Sequence, residues 1–236
     1  MDSDASQSFT ISSSNNSAFT LNNSNPGQNA KIVQNDDNDH TIQTNLVLGE
    51  DLTIEGTGSG LMTLSGVVSG SASNWINNDS YSFIISGVNT ATVTTTTIRE
   101  GELRINGEWI SDVIVDGGTL SGTGIIKKVG ASGDIQVNSG TLSVGNGADS
   151  IGILNFQGTG TSSFNDGSSY VWEISDTTAG GVDSNAGTKW DSMSFSGTLD
   201  FGSLSSGGFT IKIENIGSTG INFGKSPGYN LSLIHI

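Results

Sequence analysis

Three neighbouring stretches of the chain decide its fold: TTTIREGELRING (residues 95–107), GGTLSGTG (117–124) and SGTLSVG (139–145). In each stretch a glycine precedes a polar residue and a leucine, which gives Leu103, Leu120 and Leu142. The first two leucines are 17 residues apart and the next two are 22 apart, near the lower end of the roughly 20–50-residue periods of solenoid proteins. The same short phrase returns once more, at Leu199. Repetition of this kind predicts a stack of similar coils.

Between these phrases, apolar residues alternate with polar ones, as in DVIVD (112–116) and GDIQVN (133–138). Alternation places every second side chain on one face of a β-strand. The chain contains 34 glycines, which suit the corners between strands because glycine adopts a positive φ without steric cost. The sequence therefore predicts an all-β fold, a β-solenoid. Residues 43–216 would supply about eight or nine coils and, at ~4.8 Å per coil, a rod of about 40 Å.

The three stretches, in this order, resemble the autotransporter-associated β-strand repeat of bacterial secreted and surface proteins. Two later stretches, GSSYVWEISD (167–176) and GTKWDSMSFSGTL (187–199), resemble the block that closes such arrays before a C-terminal anchor or barrel. The resemblance covers residues 46–216 and departs at 71–86, where a longer polar segment replaces the short glycine-rich link of the family. It implies a right-handed parallel β-helix in an exported passenger or a PEP-CTERM-type surface protein, with no catalytic residues to carry over.

Four segments are expected along the chain. Residues 1–42 are predicted to be an N-terminal cap or incomplete coils, 43–216 the solenoid domain, and 217–230 the start of a truncated continuation. Residues 231–236 are interpreted as translated sequencing-adapter sequence, which would make the chain a fragment. The acidic N-terminus does not resemble a signal peptide, so we expect the export signal outside this fragment. A C-terminal membrane barrel or sorting anchor is expected in the full-length chain.

The composition excludes several classes of function. The chain has 23 acidic and 8 basic residues, a net charge of −15, and no cysteine. Missing cysteine excludes disulfides and thiolate metal sites. An acidic surface disfavours nucleic acid and anionic membranes as partners, because Lys and Arg are needed to neutralise phosphates. No stretch reaches the ~20 apolar residues of a membrane-spanning helix, so direct insertion of this fragment is not expected. The charge is typical of a soluble, self-repelling surface protein, with binding of calcium or a cationic partner as the alternative.

The most concentrated polar cluster is NDDNDH, residues 35–40. Its carboxylates, Asp36, Asp37 and Asp39, are candidate Ca²⁺ ligands because hard cations bind carboxylate oxygens. The cluster lacks the order of an EF-hand loop and of the nonapeptide repeat of calcium-binding β-rolls. A solvated turn is the alternative, since Asn and Asp favour turns. No other cofactor is predicted.

Two aromatic residues are candidates for carbohydrate stacking. Trp75 and Tyr81 lie close together in the chain and would form an exposed platform for sugar rings, with surface glycans or host and matrix polymers as partners. The alternative is that both rings pack within the hydrophobic stack.

No catalytic constellation is evident. Glycoside hydrolysis needs two carboxylates about 5–10 Å apart, and the pairs Asp36–Asp37 and Asp112–Asp116 are the nominees. His40 is the only histidine before residue 231, and the eight basic residues are scattered. The sequence therefore predicts a non-catalytic exported passenger or stalk, structural or adhesive, that is secreted or held at the bacterial cell surface. The alternative is a polysaccharide-binding or polysaccharide-cleaving β-helix, a lyase or a glycoside hydrolase.

Overall fold

A computed structural model describes residues 7–23, 28–127, 135–176, 185–201, 204–206 and 208–217 of the chain. Within these ranges the secondary structure is almost entirely β, with 23 strands and no α-helix. All pairings between these strands are parallel, and they assemble into three sheets. The predicted all-β class is confirmed.

The first sheet has nine strands in chain order: β1 (Thr10–Ile11), β4 (His40–Ile42), β7 (Met62–Leu64), β9 (Ser82–Ile85), β11 (Glu102–Ile105), β14 (Thr119–Gly122), β17 (Thr141–Val144), β20 (Ser168–Ile174) and β23 (Phe209–Asn215). The second sheet contains β2 (Ala18–Leu21), β3 (Ala30–Val33), β5 (Asn45–Leu48), β6 (Leu52–Gly56), β8 (Val68–Asp79), β10 (Thr92–Ile98), β13 (Asp112–Val115), β16 (Ile135–Val137), β19 (Thr161–Phe164) and β22 (Thr198–Asp200). The third sheet contains β12 (Glu108–Ile110), β15 (Ile125–Lys127), β18 (Ile153–Gln157) and β21 (Ser192–Phe195).

The order of strands along the chain shows how the sheets are built. From β11 onward the chain passes through the first, third and second sheets in turn and then repeats the circuit, so that β14 stacks on β11, β15 on β12 and β16 on β13. Consecutive circuits therefore stack as the coils of a parallel β-helix. Strand β8 belongs to an earlier coil and is long enough to pair with both β5 and β6.

The repeated leucines form one column of the core. Leu103 pairs with Leu120, and Leu120 with Leu142, in adjacent parallel strands of the first sheet. All three side chains are fully buried. The steps of 17 and 22 residues are therefore the lengths of two successive coils, as the repetition predicts. Leu199 differs, because it lies in β22 of the second sheet and pairs with Ser162.

The stack begins before the predicted solenoid boundary at residue 43. Strands β1 to β4 lie within the stretch predicted as a cap or incomplete coils, and each pairs with a later strand. The segment 71–86, where the sequence departs from the family it resembles, also joins the stack, through β8 and β9. Nine strands at ~4.8 Å give the first sheet a length of about 40 Å, although only seven of its described strands lie within residues 43–216. Some coils are longer than expected, up to the 41 residues from Tyr170 to Ile211. Residues 218–236, which include the predicted adapter sequence, lie outside the described residues.

Large aromatic side chains fill the middle of the stack. Trp75 contacts Phe83 edge-on at 5.7 Å between ring centroids and Trp109 at 4.8 Å.

The backbones of neighbouring coils approach each other closely at one glycine. At Gly122, where φ is +123°, a Cβ atom would lie 2.0 Å from the carbonyl oxygen of Ile105. A side chain is therefore excluded at this position both by conformation and by space.

Candidate functional site

The three candidate calcium ligands point to different partners. Asp37 accepts hydrogen bonds from the backbone N–H and the hydroxyl of Ser59, at 3.1 and 2.8 Å. Asp39 accepts from the N–H of Leu61 at 2.8 Å. Both bonds join neighbouring coils, and no group of three or more carboxylate or histidine side chains placed to hold a metal ion occurs in the described residues. The cluster forms a turn that is hydrogen-bonded to the next coil.

Asp36 is held inside its own turn. Its carboxylate accepts from the N–H of Asn38 at 2.8 Å and from Nε2 of His40 at 2.8 and 2.9 Å. Because Nδ1 of His40 accepts the N–H of Phe9, the Nε2 atom carries the ring proton. The hydrogen bond from Asn38, followed by that from His40, lowers the pKa of Asp36 below its ordinary value. His40 is buried, and its hydrogen bonds tie the first coil to the second.

The two candidate stacking residues lie in the core, so they form no exposed platform. Trp75 is 0% exposed and Tyr81 is 3% exposed. The reason is the strand period: positions 75, 77, 79, 81, 83 and 85 all face inward in β8, β9 and the turn between them. Of the two interpretations of these rings, core packing is correct.

The structure separates the two nominated carboxylate pairs in different ways. Asp112 begins β13 and Asp116 follows its end, so four strand residues, about 13 Å, separate them. Asp36 and Asp37 are consecutive, but Asp36 bonds within its own coil and Asp37 bonds to the next.

The structure brings together a different pair of acids, Glu173 on β20 and Asp191 just before β21. Both are 2% exposed. The carboxylate of Glu173 accepts the backbone N–H groups of Asp149 and Ser150, each at 2.9 Å. That of Asp191 accepts the N–H of Gly152 at 2.9 Å and that of Glu173 itself at 3.0 Å. We call this arrangement the carboxylate clamp, because it holds the loop between β17 and β18 against the coil.

Both acids of the clamp have raised pKa values. Burial raises the pKa of Asp191 to about 7, with the nearby Glu173 adding to the shift, although two backbone N–H groups act in the opposite direction. Burial likewise raises the pKa of Glu173. Paired acids with raised pKa values occur in many active sites. Here both side chains are buried and all four oxygens accept backbone N–H groups, so the clamp fixes the loop between β17 and β18 to the coil.

A second buried acid lies at the end of β8. Asp79 and Asn77 are both 0% exposed, and Asn77 occupies a column otherwise formed by apolar residues such as Ile54 and Ile98. Burial raises the pKa of Asp79 to about 8, although hydrogen bonds from Tyr81 and Asn77 oppose the shift. This pair was not predicted, because the polar run from residue 77 to 80 is typical of a loop. The signal that could have revealed it is the continuation of inward positions from Trp75.

An open groove of about 500 Å³ lies on the outside of the first coils. It runs along the stack, from the turn residues Glu50 and Asp51 of one coil to the strand residues Ser71 and Ser73 of β8 on the next. Thr92 and Thr94 of β10 extend it to the next coil, with Asn29 at the opposite end and Ala72 at the base. The groove exists because the chain bends widely here, with two consecutive exposed residues, Ser73 and Asn74. The sequence analysis did not identify it.

Fold and surface together define a parallel β-helix with several buried acidic side chains and an open polar groove on its outside. No family model matches the chain, and neither the curated proteins nor the solved structures contain a match. The described residues contain no helix with the length and apolar character needed to cross a membrane.

Proposed function

We propose that the chain is a non-catalytic rod segment of an exported bacterial protein, structural or adhesive, that carries other parts of that protein away from the cell surface. The observation that carries this proposal is the continuity of the stack. The first sheet runs through nine parallel strands from Thr10 to Asn215. A coil of this kind grows in one direction only, so its length is set by the number of repeats.

The use made of the buried acids also supports a structural role. In the carboxylate clamp each acid oxygen accepts a backbone N–H group, three of them from the loop between β17 and β18 and one from β20. The acids of the turn after β3 bind neighbouring turns in the same way. These carboxylates therefore stabilise the connections between coils.

Export and surface location rest on the sequence resemblance and on composition. A net charge of −15 and the absence of cysteine suit a soluble surface rod whose stability comes from stacked coils. The alternative of a polysaccharide-cleaving enzyme would need a pair of acids at an open cleft. The groove holds Glu50 and Asp51, but Asp51 uses both oxygens for Ser73 and Asn74.

The shape is tested by small-angle scattering on the purified chain, with electron microscopy of a tandem fusion of two copies. We expect an elongated particle and a fusion that lengthens along one axis. A compact scattering profile would contradict the rod.

Function is tested by placing the chain between an export signal and a membrane anchor, with an epitope at the end far from the anchor. Antibody labelling of intact cells is expected, and release of products from a panel of polysaccharides would contradict the non-catalytic assignment.

A further inference from the structure

We infer that the groove beside β8 and β10 binds a polysaccharide chain that carries no acidic groups. This inference goes beyond the proposed rod and does not depend on it. It rests on three properties of the groove: its unpaired hydroxyl groups, its charge and its direction.

The hydroxyl groups of the groove differ from those that flank it. Ser69 and Thr90, just outside, donate their hydroxyls to backbone carbonyl oxygens of the neighbouring coil. The four hydroxyls that line the groove, on Ser71, Ser73, Thr92 and Thr94, make no hydrogen bond to any described residue. All four side chains are exposed. Each hydroxyl is therefore free to donate and to accept, which is the combination that the hydroxyl groups of a sugar require.

These four groups form a regular array. Ser71 pairs with Thr92 in adjacent parallel strands, so the two lie about 4.8 Å apart. Ser73 and Thr94 stand two residues further along the same strands, on the same face. Because β8 and β10 are paired strands, a ligand meets these hydroxyls at positions that are already ordered.

The charge of the groove selects among glycans. Its lining includes Glu50 and Asp51 and, among the described residues, neither lysine nor arginine. Glu50 accepts the N–H of Asn23, and hydrogen bonds, chiefly the side-chain bond from Asn74, keep the pKa of Asp51 below its ordinary value. Two negative charges repel uronic acids and attract amino groups. The groove thus favours neutral and amino-bearing polysaccharides over acidic ones.

The dimensions suit a chain rather than a single sugar. A volume of about 500 Å³ is within the usual range for ligand sites. The lining extends from Asn29 through the turn after β5 to β8 and β10, across successive coils. A linear polymer laid along the stack would contact each coil in turn.

The experiment compares three oligosaccharide probes of equal length: a neutral cello-oligosaccharide, an amino-bearing chito-oligosaccharide with free amines, and an oligogalacturonate. Binding is measured by calorimetry and by backbone amide shifts. We expect the first two probes to bind, the amino-bearing one more tightly, with shifts concentrated at residues 71–73 and 92–94. The oligogalacturonate is expected not to bind.

The decisive variant is Thr92→Val/Thr94→Val, which removes two hydroxyls and keeps the shape and β-branching of both side chains. It should lower the affinity for the neutral probe about tenfold, the loss expected for two modest hydrogen bonds. The matched control is Thr41→Val/Thr63→Val, which makes the same change at paired positions on the first sheet and should bind as the parent does. Because a net charge of −15 attracts any cationic glycan, the neutral probe decides the comparison. Equal binding by the groove variant and the parent, preference for the acidic probe, shifts outside the groove or absence of binding by the neutral probe would each overturn the inference.

Discussion

The side-chain amide of Asn77 donates a hydrogen bond of 3.3 Å to Oδ1 of Asp79 inside the core of the coil. The other oxygen, Oδ2, has no hydrogen-bond partner among the described residues. Glu100 on the following coil adds a repulsive charge, and no cation contributes to the shift in the pKa of Asp79. A carboxyl in this setting stays protonated near neutral pH, because its ionised form would be a buried charge without compensation.

Stability should fall as pH rises because of Asp79. In the unfolded chain this carboxyl ionises near its ordinary value of 3.8, whereas in the folded state its pKa is about 8. Its contribution to stability is therefore fully present below pH 3.8 and is lost as pH rises to about 8. Asp79→Asn removes the titration. We expect the variant to match the parent near pH 4 and to exceed it by roughly 1–3 kcal/mol at pH 9, measured by urea unfolding.

The matched control for this experiment is Asp116→Asn. Asp116 follows β13 as Asp79 ends β8, but its side chain is exposed. A pH-independent difference of less than about 0.5 kcal/mol is expected for this surface change. If both variants gain stability at high pH by the same amount, reduced net charge rather than the buried carboxyl is responsible.

The carboxylate clamp should control the loop between β17 and β18. Asp191→Asn replaces an oxygen that accepts a backbone N–H by an amide group that cannot accept one. We expect a loss of roughly 1–3 kcal/mol in the free energy of unfolding, the cost of an unsatisfied buried donor. Amide hydrogen exchange should accelerate at Gly152 and Glu173, whose N–H groups bind Asp191. Unchanged protection at both amides would show that the clamp does not hold the loop.

Trp75 should matter for stability rather than for sugar contact. Trp75→Ala removes a side chain that is 0% exposed and leaves a cavity, so a cost of about 3–5 kcal/mol is expected in urea unfolding. Phe19→Ala is the control, since Phe19 is 56% exposed and should change stability by less than about 0.5 kcal/mol. Similar costs for the two variants would contradict the placement of Trp75 in the core.

Close contact between coils should make the chain sensitive to an added methyl group at Gly122, which the stability of Gly122→Ala measures. Gly122→Ala forces a Cβ toward the carbonyl oxygen of Ile105, whereas at Gly167, also at positive φ, the nearest atom to a Cβ would be 3.6 Å away. We expect Gly167→Ala to cost about 1 kcal/mol from conformation alone and Gly122→Ala to cost clearly more. Thermal unfolding of the two variants provides the comparison, and equal melting temperatures would show that the coil can relax around the added methyl group.

The sequence was sufficient to predict the class of fold and one column of the core. Leu103, Leu120 and Leu142 are repeated because each occupies the same position on successive coils. The phrase at Leu199 looks the same in sequence but belongs to another sheet. A glycine, a polar residue and a leucine specify a strand after a corner, and any side of the coil can use that pattern.

The sites were much harder to predict. Glu173 and Asp191 lie 18 residues apart on either side of a long connection, and nothing local indicates that their side chains meet the same loop. The groove depends on how the turn after β5 and the strands β8 and β10 stack, a property of four coils together. Trp75 and Tyr81 were placed on the surface by one hypothesis because aromatic rings can stack on sugars, although the period of two places them inside.

The parallel stack also determines how the chain would respond to force. Hydrogen bonds between coils run along the long axis, so tension applied to the two ends loads the bonds of the outermost coil first. Coils would then detach singly, each releasing between the 17 residues from Leu103 to Leu120 and the 41 from Tyr170 to Ile211. At ~3.4 Å per extended residue, each event would add roughly 60–140 Å of slack. The stack would therefore extend in steps of unequal length, and each step would dissipate part of the applied work.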